Sequence, residues 1–142
     1  MDDQLRHLNA LVGEWETDGA HPLLPGEDIR GRATFEWLDG ERFLIQRAHY
    51  DHPAIPDAVA VIGVTDGRLA MHYFDSRGVH RVYEVSAGPG KWEFRREDPD
   101  LAQQFTGTFS DDGTTLTTRG RMSRNGEDWE DDLTLTYRRT AV

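Results

Sequence analysis

Hydrophobic and polar residues alternate with a period of two along most of the chain from Gly13 onward, which is the spacing of β-strands. Before that point Leu5, Leu8 and Leu11 are three residues apart, and this spacing predicts a short amphipathic helix over residues 3–11. The alternating segments predict strands over residues 13–21, 29–38, 42–50, 57–65, 68–75, 79–87, 91–97, 103–110, 114–123 and 129–138.

Tight turns separate many of these predicted strands. Asp39-Gly40, Asp66-Gly67, Asp112-Gly113 and Asn125-Gly126 are dipeptides that adopt the positive φ angles of hairpin turns. No connection is long enough for a crossover helix, so the strands are expected to be antiparallel. Closure removes the unpaired edges of such a meander. The sequence therefore predicts one domain over residues 1–142, an all-β, up-and-down antiparallel barrel of about ten strands with a short N-terminal helix.

Composition narrows the classes of function. The chain has no cysteine, which excludes a disulfide framework, a catalytic thiolate and cysteine-ligated metal. Its net charge of −10 argues against nucleic acid, whose phosphates it would repel. No stretch approaches the roughly 20 apolar residues of a membrane-spanning helix, and the N-terminal residues lack the apolar core of an export signal. We therefore expect a cytoplasmic protein without a nucleic-acid or membrane partner.

The segment MHYFDSRGVHRVYE, residues 71–84, is unusually rich in charged and aromatic side chains for a hairpin. A three-residue turn, Ser76-Arg77-Gly78, would pair Tyr73 with Arg81 across the strands. One face then holds Leu69, Met71, Tyr73, Asp75, Arg81, Tyr83 and Val85, and the other holds Ala70, His72, Phe74, His80, Val82 and Glu84. The first face is more apolar and is expected inside the barrel. A two-residue loop would bring His80 to the side of Tyr73, so the register stays open.

The inward positions of this hairpin predict a ligand site. Arg81 in an apolar interior offers a bidentate, charged donor to a carboxylate or a polarised carbonyl, and the phenols of Tyr73 and Tyr83 can share the same oxygen. The alternative is an internal ion pair in which Asp75 neutralises Arg81, since a buried unpaired charge is costly. Either Asp75 or a ligand anion is therefore expected within salt-bridge reach of Arg81.

Further candidates follow from the alternation of neighbouring strands. Two interior sets are compatible with residues 42–50: Phe43, Ile45, Arg47 and His49, or Leu44, Gln46, Ala48 and Tyr50. Leu133, Leu135 and Tyr137 are expected inside, beside an outward Asp132. The candidate ligand-binding residues are Arg81, Tyr73, Tyr83, Asp75, Trp37, Met71, Trp92, Phe105, Arg47 and His49.

Histidine spacing does not predict a metal site. His49-x-x-His52, followed by Asp57, lacks a third ligand of fixed geometry, so a polar loop at the barrel mouth is the preferred interpretation. His72 and His80 would be neighbours on the outer face, where a solvated surface or a homodimer interface is favoured over a metal site. The sequence contains neither Gly-x-Ser-x-Gly nor His-Glu-x-x-His. We therefore assign no metal, no cofactor and no catalytic residue.

Four short motifs carry a family resemblance: LVGEW at residues 11–15, LDGERFLIQR at 38–47, YFDSRG at 73–78 and LTYRR at 135–139. A Gly-x-Trp on the first strand with an arginine near the end of the last resembles the lipocalin-type, or calycin, barrels. The wider pattern resembles a group of uncharacterised bacterial lipocalin-like barrel proteins. The resemblance implies that Trp15 packs at the closed end of the barrel, with Arg138 or Arg139 over its ring as a cation–π contact.

The chain is also distantly similar to nitrobindin, a ten-stranded haem-binding barrel, in its Gly-x-Trp start and its strand count. The haem-ligating histidine of that family comes from a late strand. This sequence has no histidine after His80, so the ligand is missing from its expected place.

Three functions remain. The first is binding of a small, largely hydrophobic molecule with a polar or acidic end, held by Arg81, Tyr73 and Tyr83. The second is a cofactor-free isomerase or cyclase, in which the same residues polarise the carbonyl of a hydrophobic substrate. The third is nitrobindin-like haem binding, which requires an inward histidine with an open position opposite. An interior that contains charged side chains but no nucleophile favours the first of these functions, ligand binding.

Overall fold

Antiparallel strands close into a barrel in the computed structural model, which describes residues 3–140. A helix, α1 (Asp3–Leu8), and a 3₁₀ turn (Asn9–Leu11) precede the barrel. The strands are β1 (Gly13–Ala20), β2 (Ile29–Trp37), β3 (Phe43–Tyr50), β4 (Ala58–Thr65), β5 (Arg68–Asp75), β6 (His80–Gly88), β7 (Lys91–Arg96), β8 (Ala102–Phe109), β9 (Thr115–Ser123) and β10 (Trp129–Arg139). Each strand pairs with its sequence neighbours, and β10 pairs with β1. The predicted all-β barrel of ten strands with a short N-terminal helix is confirmed.

The two ends of the barrel differ. Leu5 and Leu8 of α1 are buried in the same core cluster as Trp15, so the helix covers the end at which β1 begins. Successive connections alternate between the two ends, because successive strands are antiparallel. The opposite end, the mouth, is therefore formed by residues 21–28, 51–57, 76–79, 97–101 and 124–128. Among the described residues, no helix is long and apolar enough to cross a membrane.

Trp15 occupies the closed end. Its side chain is fully buried, and its indole N–H donates a hydrogen bond to the Leu11 carbonyl at 2.8 Å. The guanidinium of Arg139 lies over the ring, 4.2 Å from its centroid. The expected cation–π contact is confirmed, and the arginine that forms it is Arg139. Arg138 lies on the outer face, where it pairs with Asp18 at 3.1 Å.

The β5–β6 hairpin has the predicted three-residue turn. The N–H of Gly78 donates to the Asp75 carbonyl at 2.9 Å, and the N–H of Asp75 donates to the Val79 carbonyl at 3.1 Å. Gly78 has a φ of 85°, in the left-handed region that glycine adopts without steric cost. Tyr73 consequently lies opposite Arg81, as predicted. The turn length fixes which side chains of the hairpin face the interior.

The inner face of β3 holds Leu44, Gln46, Ala48 and Tyr50, the second of the two sets compatible with the sequence. Arg47 is exposed and pairs with Glu36 at 3.0 Å. His49 is exposed and contacts Asp57 at 3.0 Å. The assignment of Arg47 and His49 to the interior is therefore wrong.

The outer face of β3 explains this error. Phe43 and Ile45 share the face of Arg47 and are only partly exposed. Phe43 lies opposite Gly63 of β4, and its ring fills the space that a side chain at Gly63 would occupy. Apolar residues therefore cover both faces of β3, and the apolar alternation does not identify the inner one.

A β-bulge in β10 reverses the orientation predicted for Asp132. The register shifts between Asp131 and Thr134, so that Asp132 and Leu133 both oppose Gly120 of β9. An extra residue of this kind bends the strand and redirects the side chains next to it. Asp132 is 7% exposed and lines the barrel interior, so its predicted outward orientation is wrong.

Candidate ligand-binding cavity

A cavity of about 410 Å³ lies inside the barrel and opens at the mouth. This volume falls within the range of about 300–1,000 Å³ typical of small-molecule sites. Its apolar walls include Ala48, Ala58, Ala60, Met71, Phe94, Phe105, Leu133 and Leu135. A larger, shallower depression of about 680 Å³ lies on the outer face of β8 and β9, where threonine and arginine side chains line it. The interior cavity is the better candidate site, because it combines apolar enclosure with a few polar groups.

Five of the predicted site residues line this cavity: Arg81, Tyr73, Tyr83, Met71 and Phe105. Met71 and Tyr83 lie opposite each other on β5 and β6 and are buried. Arg81 and Tyr73, one step nearer the mouth, are partly exposed. The predicted inner face of the hairpin is thus present, while the role of these residues in binding stays a prediction.

Trp37 and Trp92 also face the interior, but neither lines the cavity. The ring of Trp92 packs edge-on against Phe35, with 6.4 Å between centroids. The indole N–H of Trp37 donates to the Asn9 side chain at 2.8 Å. Both tryptophans lie toward the closed end, outside the lining of this cavity, and their predicted part in ligand binding stays a prediction.

Asp75 pairs with Arg77 of the turn rather than with Arg81. Its carboxylate has no exposed surface, lies 2.7 Å from the Arg77 guanidinium and accepts a hydrogen bond from the Tyr73 phenol at 2.9 Å. Burial alone would raise the pKa of Asp75, but the hydrogen bonds from Arg77 and Tyr73 outweigh it and lower the pKa to about 2. Asp75 therefore lies behind the phenol of Tyr73 and is already neutralised.

Arg81 has no carboxylate within 4.0 Å of its guanidinium among residues 4–140. It donates a long hydrogen bond of 3.4 Å to the side-chain oxygen of Gln103. The phenol of Tyr83 donates to the same oxygen at 2.8 Å, so Tyr83 is the closer partner of Gln103. The guanidinium also interacts with the Tyr83 phenol, and this interaction opposes the rise of the Tyr83 pKa on burial. With five N–H donors in all, Arg81 still has donors for a group in the cavity.

Asp132 holds Gln103 in this orientation. The Gln103 amide nitrogen donates to one oxygen of Asp132 at 2.9 Å, and His21 Nε2 lies 3.3 Å from the other oxygen. The β-bulge brings this carboxylate inside, and its two oxygens are engaged by two different elements. The polar side of the cavity is therefore a connected network that runs from the mouth loop through Asp132 to Gln103.

The alternation pattern of the sequence does not predict that the loop over residues 21–28 contributes to the cavity. His21, Leu23 and Leu24 of this loop line the cavity at the mouth. The signal was present in HPLLPG, residues 21–26, where two adjacent leucines stand between prolines in a segment with no strand pattern. Leu23 is 70% exposed, so it extends the apolar surface of the cavity toward solvent.

The four tyrosines of the chain, Tyr50, Tyr73, Tyr83 and Tyr137, all line the cavity. Burial raises the pKa of each phenol above its usual value, and the pKa of Tyr50 rises to about 12. Each phenol therefore stays protonated at neutral pH. The cavity walls present neutral hydroxyl groups that can donate hydrogen bonds.

The histidines near the mouth are engaged in loop contacts. His49 bonds Asp51 and Asp57, each at 3.1 Å, and the bond to Asp57 raises the pKa of His49. His52 contacts Glu27 at 3.2 Å. In the described part of the chain, no group of three or more His, Asp or Glu side chains is arranged to hold a metal ion.

The residues of the cavity do not fit a haem. An iron ligand needs a free imidazole nitrogen aimed into the cavity. His21, the histidine of the lining, accepts a hydrogen bond from the Leu23 N–H on Nδ1, and its Nε2 faces Asp132. Both ring nitrogens are therefore engaged within the protein.

No protein-family model and no curated protein sequence matches the chain. Solved structures do match it over almost its whole length. The crystal structure of Rv2717c from M. tuberculosis has a TM-score of 0.66 at 16% identity, covering 99% of each chain. The structure of EF1p2_mFAP2b bound to DFHBI has a TM-score of 0.49 at 13% identity, covering 96% of this chain and 99% of that one. The first likeness shows the fold, which fits a lipocalin-like or calycin-like barrel.

Proposed function

We propose that the barrel binds a small, largely hydrophobic molecule whose acidic end is held by Arg81. The observation that carries this proposal is the partly buried guanidinium on the cavity wall, which has no carboxylate partner within residues 4–140. A cation in such a position is costly unless an anion neutralises it. A ligand carboxylate accepts two parallel N–H bonds from an arginine, and this geometry matches the donors that Arg81 has left.

The charged side chains that line the cavity support an anionic ligand. The protein carries a net charge of −10, yet Arg77, Arg81 and Arg124 all line the cavity. Asp75 neutralises Arg77, and the lining carboxylate Asp132 is engaged by Gln103 and the mouth loop. The lining thus holds more arginines than carboxylates, although the mouth loops around it are rich in Asp and Glu, and this excess within the lining favours an anion at Arg81.

The walls fit the apolar part of such a molecule. The rings of Phe94 and Phe105 are stacked with 4.7 Å between centroids, and Phe94 meets Tyr83 edge-on at 5.4 Å. These rings and the aliphatic residues of β10 form a continuous apolar surface below Arg81. A hydrophobic carboxylic acid, such as a medium-chain fatty acid, matches both parts of the cavity.

A cofactor-free isomerase or cyclase is the second candidate function. The protonated phenols of Tyr73 and Tyr83 favour it, because they can donate hydrogen bonds to a substrate carbonyl. Such a reaction also needs a base within reach of the substrate. Asp132 is engaged on both oxygens and Asp75 lies behind Tyr73, so binding is the function that the site supports best.

Calorimetric titration with decanoate and with decanol tests the proposal. The substitution Arg81→Met keeps an apolar stem and removes the charge, so it should weaken decanoate binding tenfold or more, on the order of one charged hydrogen bond. Decanol binding should be unchanged. Arg47→Met, on the outer face of β3, is the matched control and should change neither affinity. Equal decanoate affinity in the wild type and in Arg81→Met would reject the proposal.

A further inference from the structure

The phenol of Tyr50 presents an unpaired hydroxyl to the cavity. Tyr50 lines the cavity from the end of β3 nearest the mouth, and no group of residues 4–140 forms a hydrogen bond with its hydroxyl. The oxygen keeps accessible surface, whereas the Oγ1 of Thr17, which also lacks a partner within this range, is buried. Polar groups inside a protein are normally hydrogen-bonded, so an open hydroxyl in a ligand cavity points to a partner group on the ligand.

Tyr137 lies in the same row of paired residues, three strands away from Tyr50. Tyr50 is opposite Gly31 of β2, and Gly31 is opposite Thr17 of β1. Thr17 in turn is opposite Tyr137 of β10. The two residues between the tyrosines are small, so they leave the space above this part of the wall to the two phenol rings.

The ring of Tyr50 is inclined toward Tyr137. A Cβ at Gly31 would come within 3.0 Å of the Tyr50 Cδ1 atom, so the ring lies on the β2 side of its own strand. Thr17, the next residue of the row, is 5% exposed and is not part of the lining, so other side chains cover it. Burial, and then the proximity of the Tyr50 phenol, raise the pKa of Tyr137. The two phenols therefore approach each other across Gly31 and Thr17.

Gln46 adds an amide to the two phenols. It lies on the inner face of β3 and lines the cavity. Its side chain interacts with the phenol of Tyr137, and this interaction opposes the rise of the Tyr137 pKa on burial. The group formed by Gln46, Tyr50 and Tyr137 is thus polar but contains no charged side chain.

Arg81 lies on the opposite wall of the barrel. Its strand, β6, is five positions from β1 in either direction around the barrel, and β3 and β10 flank the β1–β2 pair. The strands between the two walls contribute Met71, Phe94 and Phe105 to the lining. A molecule whose acid group binds Arg81 therefore crosses apolar surface before its other end reaches the phenols.

We propose that Tyr50, Tyr137 and Gln46 form a second polar subsite, which takes an uncharged hydroxyl or carbonyl group at the end of the ligand opposite its acid group. The inference rests on the proposed function, because Arg81 must hold the acid group. Phenols and an amide can both donate to and accept from such a group, and none of them has a charge that would attract a second ion. The ligand class is thereby narrowed from hydrophobic acids to hydroxy or oxo acids with an apolar middle.

The test uses straight-chain fatty acids of six to twelve carbons, each with and without a terminal hydroxyl. Calorimetry gives the ratio of the two affinities at each chain length for the wild type, Tyr50→Phe and Tyr137→Phe. Each variant loses one hydroxyl and keeps its ring. At the length that spans the cavity, each should reduce the preference for the hydroxylated acid about fivefold, as expected for one hydrogen bond. Thr17→Val removes a hydroxyl of the same row outside the lining and should leave the ratio unchanged.

The possible failures are distinguishable. If the acids bind in an Arg81-dependent way but either phenylalanine variant keeps the wild-type ratio at every chain length, the subsite is overturned and the proposed function stands. If the acids do not bind, or bind equally well to Arg81→Met, the proposed function falls and the subsite with it.

A second readout needs no variant. In the wild type, the hydroxylated acid that spans the cavity should shift the near-ultraviolet absorbance of tyrosine more than the plain acid of the same length, because only the former bonds to the phenols through its far end. Identical difference spectra for the two acids would also overturn the subsite.

Discussion

The guanidinium of Arg139 lies 4.2 Å from the ring centroid of Trp15 and joins three separate segments at the closed end of the barrel. It donates hydrogen bonds to the carbonyls of Ala10, Val12 and Gly113 at 2.6, 2.7 and 2.9 Å. One side chain thus holds together the N-terminal turn, the turn between β8 and β9, and the end of β10. Gly13 has a φ of 132°, and a Cβ there would come within 2.7 Å of the Arg139 guanidinium, so any other residue would be strained and would displace that group.

Replacing Arg139 with lysine tests this closure. Arg139→Lys keeps the charge but loses the planar fork that reaches three carbonyls, so the free energy of unfolding should fall by about 1–3 kcal/mol. Arg138→Lys is the matched control, because the neighbouring arginine forms only an exposed pair with Asp18 and should change stability by about 0.5 kcal/mol or less. Denaturant unfolding measures both variants. Equal effects would show that the contacts of Arg139 do not stabilise the closed end.

Stability at acidic pH should depend on Asp75. Its pKa is about 2 in the folded protein and 3.8 as a model value, so the folded state favours the ionised carboxylate. The resulting stabilisation is present above pH 3.8 and is lost as the pH falls toward 2. Across this window the unfolding temperature of the wild type should therefore fall more steeply with decreasing pH than that of Asp75→Asn. Parallel curves for the two proteins would contradict the pairing of Asp75 with Arg77 and Tyr73.

Alkaline titration should report the burial of the phenols. Since burial raises the pKa of all four tyrosines above 10, the folded protein gains stability from keeping them neutral, and that gain is lost as the pH rises above 10. Phenolate absorbance of the folded protein at pH 10 should be lower than that of the same chain in denaturant, and it should rise at higher pH. The same chain in denaturant should titrate near the ordinary value. A tyrosine that ionises near pH 10 in the folded protein would contradict its place in the cavity lining.

The orientation of the β5–β6 hairpin could be predicted because a local signal fixes it. Gly78 selects a three-residue turn, the turn sets the register, and the register sets the face of Arg81. The inward orientation of Asp132 could not be predicted in this way, because a β-bulge depends on how two strands pair. It leaves no signal in the alternation of either strand.

The alternation pattern also does not show how far along the barrel axis an inward residue lies. Trp92 and Phe105 both face inward, yet only Phe105 lines the cavity. Strand tilt and the position of the helix decide which inward residues end up beneath the cavity floor. His21 was predicted as the last residue of the first strand, but β1 ends at Ala20 and His21 begins the loop at the mouth. Its place in the cavity lining depends on how that loop folds over the barrel, which the alternation pattern does not contain.

A crystal structure of the wild-type protein with bound decanoate tests the central claim most directly. The account predicts that the carboxylate lies within hydrogen-bonding distance of the Arg81 guanidinium, with the alkyl chain against Phe94 and Phe105. A carboxylate bound only at Arg124 on the rim, or decanoate bound outside the barrel, would contradict it.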